Sequence, residues 1–303
     1  MKIIYVVGNH IGHVSHILPL YTVLGGEIFC TATDENWHKI QKYVPTIKFR
    51  RNVEFFKEYE PDVIVYLDWG ERQDLRFWTE NLKAKHVWVP HGLSPKSFEG
   101  YKEKIDDFDV YFAASSYELI VLRDHGVNLD KVKFAGYPKF DTHLYQHIIA
   151  QPEVEDEGYT LYAPTWGGYS SIPKAYSRIK ELTDRGEIVY VKAHPQVGLI
   201  SWGDDNGPAY EKLCELPVKI IDKKAPNILE YIKKSSRVIS DRGTVFFEAI
   251  SMGKKVEVFY EVNTEFKKRI DLYNKPGMSA PYFEGSSFHT QLSVNMIQLV
   301  NLI

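Results

Sequence analysis

Apolar and polar positions alternate in a regular order along the chain. Short runs rich in Val, Ile and Tyr, such as residues 2–7 and 62–67, are each followed by an amphipathic or loop-like stretch. Strands of a parallel sheet are buried on both faces and form continuous apolar runs, and helices connect them. The pattern therefore predicts β/α units around parallel sheets. The expected strands are 2–7, 27–32, 62–67, 86–89, 109–114 and 132–135 in the first half, and 159–163, 187–192, 218–221, 237–240 and 255–259 in the second.

The alternation lapses at residues 151–158, a polar acidic stretch with Pro152 and Gly158 near its ends. Pro and Gly interrupt regular elements, so we interpret this stretch as an interdomain linker. The predicted fold class is α/β, with two Rossmann-like, doubly wound parallel-sheet domains, residues 1–150 and 151–303, facing a cleft. Apolar positions at helical spacing in residues 286–303 predict a last helix that can pack back across the hinge.

Composition narrows the function classes. The 303 residues carry a formal charge of −3 with scattered Lys and Arg, which argues against nucleic acid as the main partner. Two cysteines suit a reducing compartment. The first apolar run is too short for a signal peptide, and no segment approaches the ~20 apolar residues of a membrane span. We expect a cytoplasmic protein, and the basic and aromatic stretch at 48–57 leaves peripheral contact with the inner face of the cell membrane open. The sequence does not indicate the oligomeric state.

Ligands of open parallel sheets bind beyond the carboxyl ends of the strands, so candidate chemistry is sought there. Gly8 and Gly12 after the first strand allow a tight turn into a helix. His10 or His13 at the start of that helix is placed to accept a proton or bind a phosphate, although an ordinary polar helix start explains these residues as well. His16 lies well off the helical face of the other two histidines, so we predict no metal site and no cofactor.

Two further segments of the first domain are candidates. His91 leaves a buried strand directly into a loop shaped by Gly and Pro, where it can act as general base toward an acceptor hydroxyl or simply cap the loop. Lys96 in the same loop can contact phosphate. The turn after the last strand of this domain serves as a hinge or as part of the ligand site, and its candidate residues are Gly136, Pro138, Lys139 and Asp141.

In the second domain, Thr165 follows the first strand, and Lys192 and His194 follow the second. Only one of Lys192 and His194 need meet a donor, and we choose His194, which lies nearest the loop. The remaining candidates occupy a strand end, a turn and a helix start, and they are Ser240, Asp241, Arg242, Gly243, Thr244 and Glu248.

The turn at Gly243 and Thr244 presents backbone N–H groups to a pyrophosphate, assisted by the helix dipole and the Arg242 guanidinium. Glu248 lies one helical turn after Thr244, where its carboxylate can accept hydrogen bonds from ribose hydroxyls. A solvated helix residue is the alternative for Glu248.

Five short motifs occur in order over residues 91–250: H-G-x-x-x-K, G-Y-P-K-F-D, Y-A-P-T-W, K-x-H-P and S-D-x-x-[ST]-x-x-F-[DE]. Together they resemble the CDP-glycerol glycerophosphotransferase family of teichoic acid and capsule synthesis. The resemblance implies a GT-B-like fold, with the acceptor on the first domain and the CDP-activated donor on the second. By position it implies His91 as the general base, His194, Arg242, Gly243 and Thr244 at the donor phosphates, and Glu248 near the ribose.

The sequence departs from that family at Leu93-Ser94, where Thr-Pro is usual, at Lys139, where Arg is usual, and at Arg242-Gly243, where Tyr-Ser is usual. The leading expectation is transfer of a polyol phosphate from a CDP-activated donor to a hydroxyl of a glycan or polyisoprenoid-linked acceptor. A GT-B glycosyltransferase or epimerase that uses a nucleotide sugar is the first alternative, because it shares the fold. A non-catalytic nucleotide-binding module is the second.

Overall fold

The computed structural model of the protein describes residues 1–92, 101–114, 116–144, 147, 157–225, 227–241 and 243–259. They fall into two compact units, one containing Met1–His91 and the described part of Ser97–Gln151, the other containing Gly92 and the described part of Pro152–Ser279. Several sequence predictions lie outside the described residues: Leu93-Ser94, Lys96, Arg242, the linker at 151–156 and the last helix at 286–303.

The first unit is built on a parallel sheet. Its strands are β1 (Ile3–Val7), β2 (Glu27–Cys30), β3 (Phe49–Arg50), β4 (Val63–Tyr66), β5 (Lys85–Trp88), β6 (Val110–Ala113) and β7 (Val132–Phe134). Its helices are α1 (Ile11–Leu24), α2 (Asp34–Tyr43), α3 (Phe55–Tyr59), α4 (Trp69–Thr79), α5 (Tyr101–Asp106) and α6 (Ser116–Asp124), with 3-10 turns at Leu129–Lys131 and Pro138–Leu144. The strand order is β3-β2-β1-β4-β5-β6-β7. Strands β2 and β3 lie on one side of β1, and strands β4 to β7 lie on the other. The point between β1 and β4 is therefore the switch point of the sheet.

Both faces of this sheet are buried, which explains why its strands read as continuous apolar runs. In β1, Ile3, Tyr5 and Val7 pack with residues of α1 and α2 on one face. Ile4 and Val6 pack with residues of α4, α5 and α6 on the other. Side chains of a strand alternate between faces, so an unbroken apolar run supplies both cores at once.

The second unit repeats the architecture. Its strands are β8 (Tyr159–Ala163), β9 (Val189–Val191), β10 (Lys219–Ile220), β11 (Ser235–Ser240) and β12 (Lys255–Val258). Its helices are α7 (Ile172–Asp184), α8 (Gly207–Cys214), α9 (Leu229–Lys234) and α10 (Thr244–Ser251), with 3-10 turns at Gly167–Tyr169 and Ile200–Trp202. The parallel order β10-β9-β8-β11-β12 reverses between β8 and β11. Each unit thus has one switch point, where a ligand of a doubly wound sheet is expected.

Helix packing in the second unit follows the sequence pattern. The buried residues of α7 are Ile172, Ala175, Ile179 and Leu182, which recur at helical spacing along one stripe. Pro near the first position of this helix supplies the fixed φ that a helix start needs. The stripe packs over the face of the sheet that carries Tyr162, so β8 is held from one side by α7.

The predicted strands correspond to observed strands that are often a residue or two shorter, and β3 was not predicted. Phe49–Arg50 belongs to the stretch interpreted above as a membrane contact. There the Arg50 guanidinium pairs with Glu27 at 3.0 Å and Arg51 pairs with Asp34 at 2.6 Å, while Phe56 is buried. Membrane contact stays a prediction. No helix in the described ranges is long and apolar enough to cross a membrane.

Candidate functional site

Histidines from two segments meet at the carboxyl edge of the first sheet. His10, His13 and His16 come from the turn after β1 and from α1, and His91 follows β5. Ring centroids are 5.0 Å apart for His10 and His13, 4.3 Å for His13 and His91, and 6.5 Å for His16 and His91. We call these four residues the histidine cluster. Sequence reasoning found its parts separately, and the strand order places them together beside the switch point.

His91 is held in one tautomer. Its Nδ1 lies 2.9 Å from the Leu67 carbonyl oxygen, and a carbonyl only accepts, so Nδ1 donates and Nε2 keeps a lone pair. Burial, and next the neighbouring His13, lower the pKa of His91 below its usual value, while Asp68 at 3.7 Å opposes that change. The side chain is 41% exposed. His91 therefore presents a neutral, reachable base at pH 7.

Asp68 lies in the turn after β4 and is the N-cap residue of α4. Its carboxylate accepts a hydrogen bond from the Gly70 N–H at 2.7 Å, and Glu71 completes a capping box with it. Burial raises the pKa of Asp68, but His91, its neighbouring histidines and the Gly70 N–H together lower it by a larger amount. The pKa of Asp68 is therefore below its usual value. The ionised Asp68 carboxylate therefore stabilises the His91 imidazolium that forms when the ring takes up a proton.

Glu71 lies beneath the cluster. Its Oε1 is 3.1 Å from His13 Nδ1 and accepts from the Gly8 N–H at 2.8 Å. Burial raises the pKa of Glu71 to about 7, and burial likewise lowers the pKa of His13 to about 4. Burial also comes first in lowering the pKa of His10 to about 4. These rings are accordingly neutral at pH 7.

The turn after β7 reaches the same place. The Tyr137 hydroxyl donates to the His91 carbonyl oxygen at 3.3 Å, and its ring lies 5.0 Å from that of His16. Gly136 adopts a φ of +74°, which favours glycine, and the 3-10 turn that begins at Pro138 packs against α1. Lys139 and Asp141 are buried in that turn. Burial and then Lys139 lower the pKa of His16.

The ring nitrogens that are fixed point at protein groups. His13 Nδ1 faces Glu71, and His91 Nδ1 faces the Leu67 carbonyl. Among the residues that the structure describes, no three His, Cys, Asp or Glu side chains come together in a way that could hold a metal ion.

Gly12 lies in the first turn of α1, where its carbonyl accepts from the Ser15 hydroxyl at 2.7 Å.

In the second unit, Asp241 follows β11 and is fully buried. Its Oδ1 and Oδ2 accept from the Thr165 N–H at 2.9 and 3.1 Å, and its Oδ2 accepts from the Ser171 N–H at 2.9 Å and hydroxyl at 2.8 Å. The Tyr162 hydroxyl is 2.9 Å from the Ser171 hydroxyl. The sequence placed Asp241 at the donor, whereas the structure engages its carboxylate in holding the loop after β8.

A second buried carboxylate fixes the adjoining loops. Asp204 accepts from the Gly167 N–H at 2.6 Å and from the Gly198 and Asn206 N–H groups at 2.9 Å each. Burial raises the pKa of Asp204, but these hydrogen bonds lower it below the usual value. The turns after β8 and β9 are therefore held by one ionised side chain.

His194 and Lys192 leave β9 in different environments. The Gln196 N–H donates to His194 Nδ1 at 3.2 Å, so the neutral ring carries its hydrogen on Nε2. The His194 ring is half-buried with its centroid 6.0 Å from that of Trp166. Lys192 is buried, and its Nζ donates to the Lys223 carbonyl at 3.1 Å. Of the two, His194 has the more accessible side chain.

The other predicted donor residues gather where β8 and β11 end. The Ser240 hydroxyl donates to the Ala163 carbonyl oxygen at 2.8 Å, so it joins the two strands. A Cβ on Gly243 would lie 3.5 Å from the Thr165 Cβ, which places the two turns in contact. Thr244 begins α10 and is half-buried. Glu248 is 1% exposed, and its contact with a ribose stays a prediction.

Neither a protein-family model nor a curated protein matches the chain. A UDP-GlcNAc 2-epimerase from Neisseria meningitidis bound to UDP-GlcNAc is 15% identical with a TM-score of 0.60, over 100% of both chains. The S. aureus MnaA–UDP co-structure is 16% identical with a TM-score of 0.65, over 100% of this chain and 98% of that one. The wall teichoic acid polymerase TagF is 14% identical with a TM-score of 0.56, over 90% of this chain and 71% of that one.

At these identities the likeness shows the fold alone. It confirms the fold class predicted from the sequence, an α/β chain with two Rossmann-like domains of the GT-B-like class. The roles of the individual site residues stay predictions.

Sequence reasoning missed several residues of these sites. Asp68 and Glu71 were not selected, although an acidic residue followed three positions later by Glu is the pattern of a capping box. Ser171 and Asp204 were also missed, and their sequence neighbourhoods carry no comparable pattern. Their partners come from other loops, which a local pattern does not reveal.

Proposed function

We propose that this protein is an enzyme that acts on a nucleoside-diphosphate-linked donor, with the first unit binding the acceptor and supplying the base and the second unit binding the donor. The observation that carries the proposal is the complementary state of two histidines. In the first unit His91 has a lone pair on Nε2, and in the second unit the neutral His194 ring carries its hydrogen on Nε2. One ring suits proton removal, and the other suits stabilisation of phosphate charge.

The assignment of the donor to the second unit is supported by the charges at the two sheets. In the first unit the Glu71 carboxylate already accepts from the Gly8 N–H, in the turn where a phosphate would otherwise bind. Neither α1 nor α10, which begins at Thr244, has an acidic residue in its first turn, so the carboxylate on the Gly8 N–H is what distinguishes the two helix starts. The N-terminus of α10 is thus the better place for a pyrophosphate.

A nucleotide sugar is the donor that the comparisons favour. Of the structures that resemble the whole chain, one epimerase was solved with UDP-GlcNAc and the MnaA structure with UDP. In the proposed transfer, His91 Nε2 takes the proton of an acceptor hydroxyl, whose oxygen attacks the anomeric carbon of the sugar. The bond from that carbon to the β-phosphate oxygen breaks, and the nucleoside diphosphate leaves with the electron pair. His194 Nε2–H donates to the departing phosphate.

Polyol-phosphate transfer is the second candidate. It is favoured by the order of the five sequence motifs and by the likeness to TagF. Here the acceptor oxygen, on a glycan or a polyisoprenoid-linked glycan, attacks the β-phosphorus of a CDP-linked polyol. The bond from that phosphorus to the oxygen bridging to the α-phosphorus breaks, and CMP leaves. The same two histidines serve as base and phosphate donor.

Calorimetric titration with UDP, UDP-GlcNAc, CDP and CDP-glycerol tests the donor assignment. We expect one nucleotide series to bind and His194→Gln to weaken it by roughly tenfold, since one charge-assisted hydrogen bond of ~1.5 kcal/mol is lost. His125→Gln is the matched control, because His125 is exposed and its Nδ1 donates to the Val121 carbonyl on α6. Equal binding by both variants and the wild type would contradict the role of His194.

The released nucleotide separates the reactions. Incubation of the bound donor with a mixture of hydroxyl acceptors, followed by chromatography, should release a nucleoside diphosphate in sugar transfer and CMP in polyol-phosphate transfer. Conversion of UDP-GlcNAc into its 2-epimer would identify an epimerase. Binding without any turnover would leave a nucleotide-binding module and refute the enzymatic proposal.

A further inference from the structure

Glu71 joins the two strand ends that flank the switch point of the first sheet. Its Oε1 takes the Gly8 N–H after β1, and its Oε2 takes the N–H groups of Leu67 at 2.9 Å and Asp68 at 3.2 Å after β4. The residue is 6% exposed and lies 63 positions from Gly8 in the sequence. One buried side chain therefore connects the turn that leads to His10 and His13 with the turn after β4, whose Leu67 carbonyl accepts from His91.

The same carboxylate determines the state of His13. An ionised carboxylate only accepts hydrogen bonds, so the His13 Nδ1 at 3.1 Å must carry the hydrogen. The lone pair of His13 is then on Nε2, as it is in His91, whose ring lies 4.3 Å away. Two adjacent rings thus hold their hydrogens on the sides turned toward the protein.

Glycine at position 8 fits this arrangement. A Cβ on Gly8 would lie 2.8 Å from Glu71 Oε1, closer than Cβ atoms approach such atoms, so any larger residue would displace the carboxylate. The turn after β1 is shaped to admit the Glu71 side chain as well as to start α1.

We propose that Glu71 is the positioning residue of the histidine cluster: it fixes the tautomer of His13 and joins the turn after β1 to the turn after β4, against which His91 is held. The catalytic meaning of this inference rests on the proposed function, since Glu71 acts through His13 and does not meet a substrate. A buried carboxylate that orients an imidazole keeps the ring in the form that can accept a proton.

Glu71→Gln changes this arrangement in a defined way. An amide offers one accepting oxygen and one NH₂ donor. With its oxygen on the Leu67 and Asp68 N–H groups, the NH₂ group faces His13 Nδ1, which must now accept. The hydrogen of His13 therefore moves to Nε2. In this orientation the NH₂ group also faces one N–H donor, that of Gly8. The opposite orientation keeps the His13 and Gly8 contacts but turns the NH₂ group toward two N–H donors, those of Leu67 and Asp68, so it is the less favourable one.

The test is the ring ¹⁵N spectrum of histidine-labelled protein, recorded without ligand on the alkaline side of pH 7, where Glu71 is ionised. His13→Gln assigns the His13 signals by their disappearance. In the wild type we expect a protonated Nδ1 and an unprotonated Nε2 for His13, and in Glu71→Gln the reverse. His91 should keep its tautomer, since the Leu67 carbonyl is unchanged.

Glu118→Gln is the matched control. Glu118 lies in the first turn of α6 and is also buried, its pKa is also raised by burial to about 7, and it accepts from the Tyr111 hydroxyl and from the Ala114 N–H just after β6. Its substitution should leave the His13 tautomer unchanged. A wild-type His13 with its hydrogen on Nε2 would overturn the proposal, even where Glu71→Gln fails to fold. So would an unchanged tautomer in a folded Glu71→Gln. Because no donor or acceptor is used, this outcome is independent of whether the proposed function holds.

Discussion

Replacing Asp241 with Ala distinguishes a residue that holds a loop from one that meets a donor. The sequence motif suggested contact with the donor, whereas the carboxylate is fully buried and accepts from Thr165 and Ser171. If it holds the loop after β8, Asp241→Ala lowers the free energy of unfolding of the second unit. If its main partners were hydroxyl groups of a bound donor, removal of a buried negative charge with no partner in the free protein would raise that free energy.

The size of the effect follows from the hydrogen bonds. Asp241→Ala leaves the N–H groups of Thr165 and Ser171 without their acceptor, and each buried unpaired donor costs ~1–3 kcal/mol. The Ser171 hydroxyl adds little, because the Tyr162 hydroxyl remains 2.9 Å away. The loss is therefore roughly 2–6 kcal/mol. Ser240→Ala is the control at the adjacent position, where one neutral hydrogen bond to Ala163 is lost and ~1 kcal/mol is expected.

Urea unfolding combined with hydrogen exchange measures both consequences. The midpoint reports the stability of the unit, and mass spectrometry of peptides covering residues 159–172 reports protection of the Thr165 and Ser171 amides. Exchange should accelerate in Asp241→Ala and stay close to the wild type in Ser240→Ala. An unchanged midpoint with unchanged exchange would refute the reasoning.

Three further predictions test the fold and the base. Gly26→Ala should destabilise the first unit by ~2–4 kcal/mol in chemical unfolding, because the φ of Gly26 is +110° and a Cβ there would lie 2.6 Å from the Ile3 carbonyl oxygen. Gly25→Ala is the control in the same experiment and should cost ~1 kcal/mol, because a Cβ at Gly25 would have no atom within 4 Å. Burial raises the pKa of Glu118 from 4.5 to about 7 on folding, so stability falls as pH rises through that window; unfolding at several pH values should show the wild type losing ~3 kcal/mol relative to Glu118→Gln, and parallel profiles would contradict this. His91→Gln should lower kcat by ~10²–10⁴ on whichever donor turns over, and the acid limb of the wild-type kcat/KM profile should have its midpoint below pH 6.5, because the pKa of His91 is lowered.

Much of the fold could be predicted from local pattern. The run at 159–163 coincides with β8, and the runs around β1 and β4 differ from the strands by a residue at their ends. Strand β3 was missed because Phe49–Arg50 is two residues long and lies at the edge of the sheet, where it pairs only with β2, so no apolar run marks it.

The candidate site was predicted in parts. His91 and His194 were selected because each leaves a strand into a loop, which local sequence reveals. The carboxylates that place or neighbour these rings were not selected. Glu71 resembles any acidic residue in the first turn of a helix, and its burial depends on contacts with Gly8 and His13 that are 63 and 58 positions away.

The amino-acid sequence by itself determined the kind of each element and the strand ends at which polar residues appear, because burial on both faces of a parallel sheet demands continuous apolar runs. Only the tertiary structure decided which strand ends are neighbours. The order of the strands brought the turns after β1 and β4 together around Glu71, and the turns after β8 and β11 together around Asp241. That pairing is a long-range property, and it set the tautomers of His13 and His91 and the partners of the Glu71 and Asp241 carboxylates.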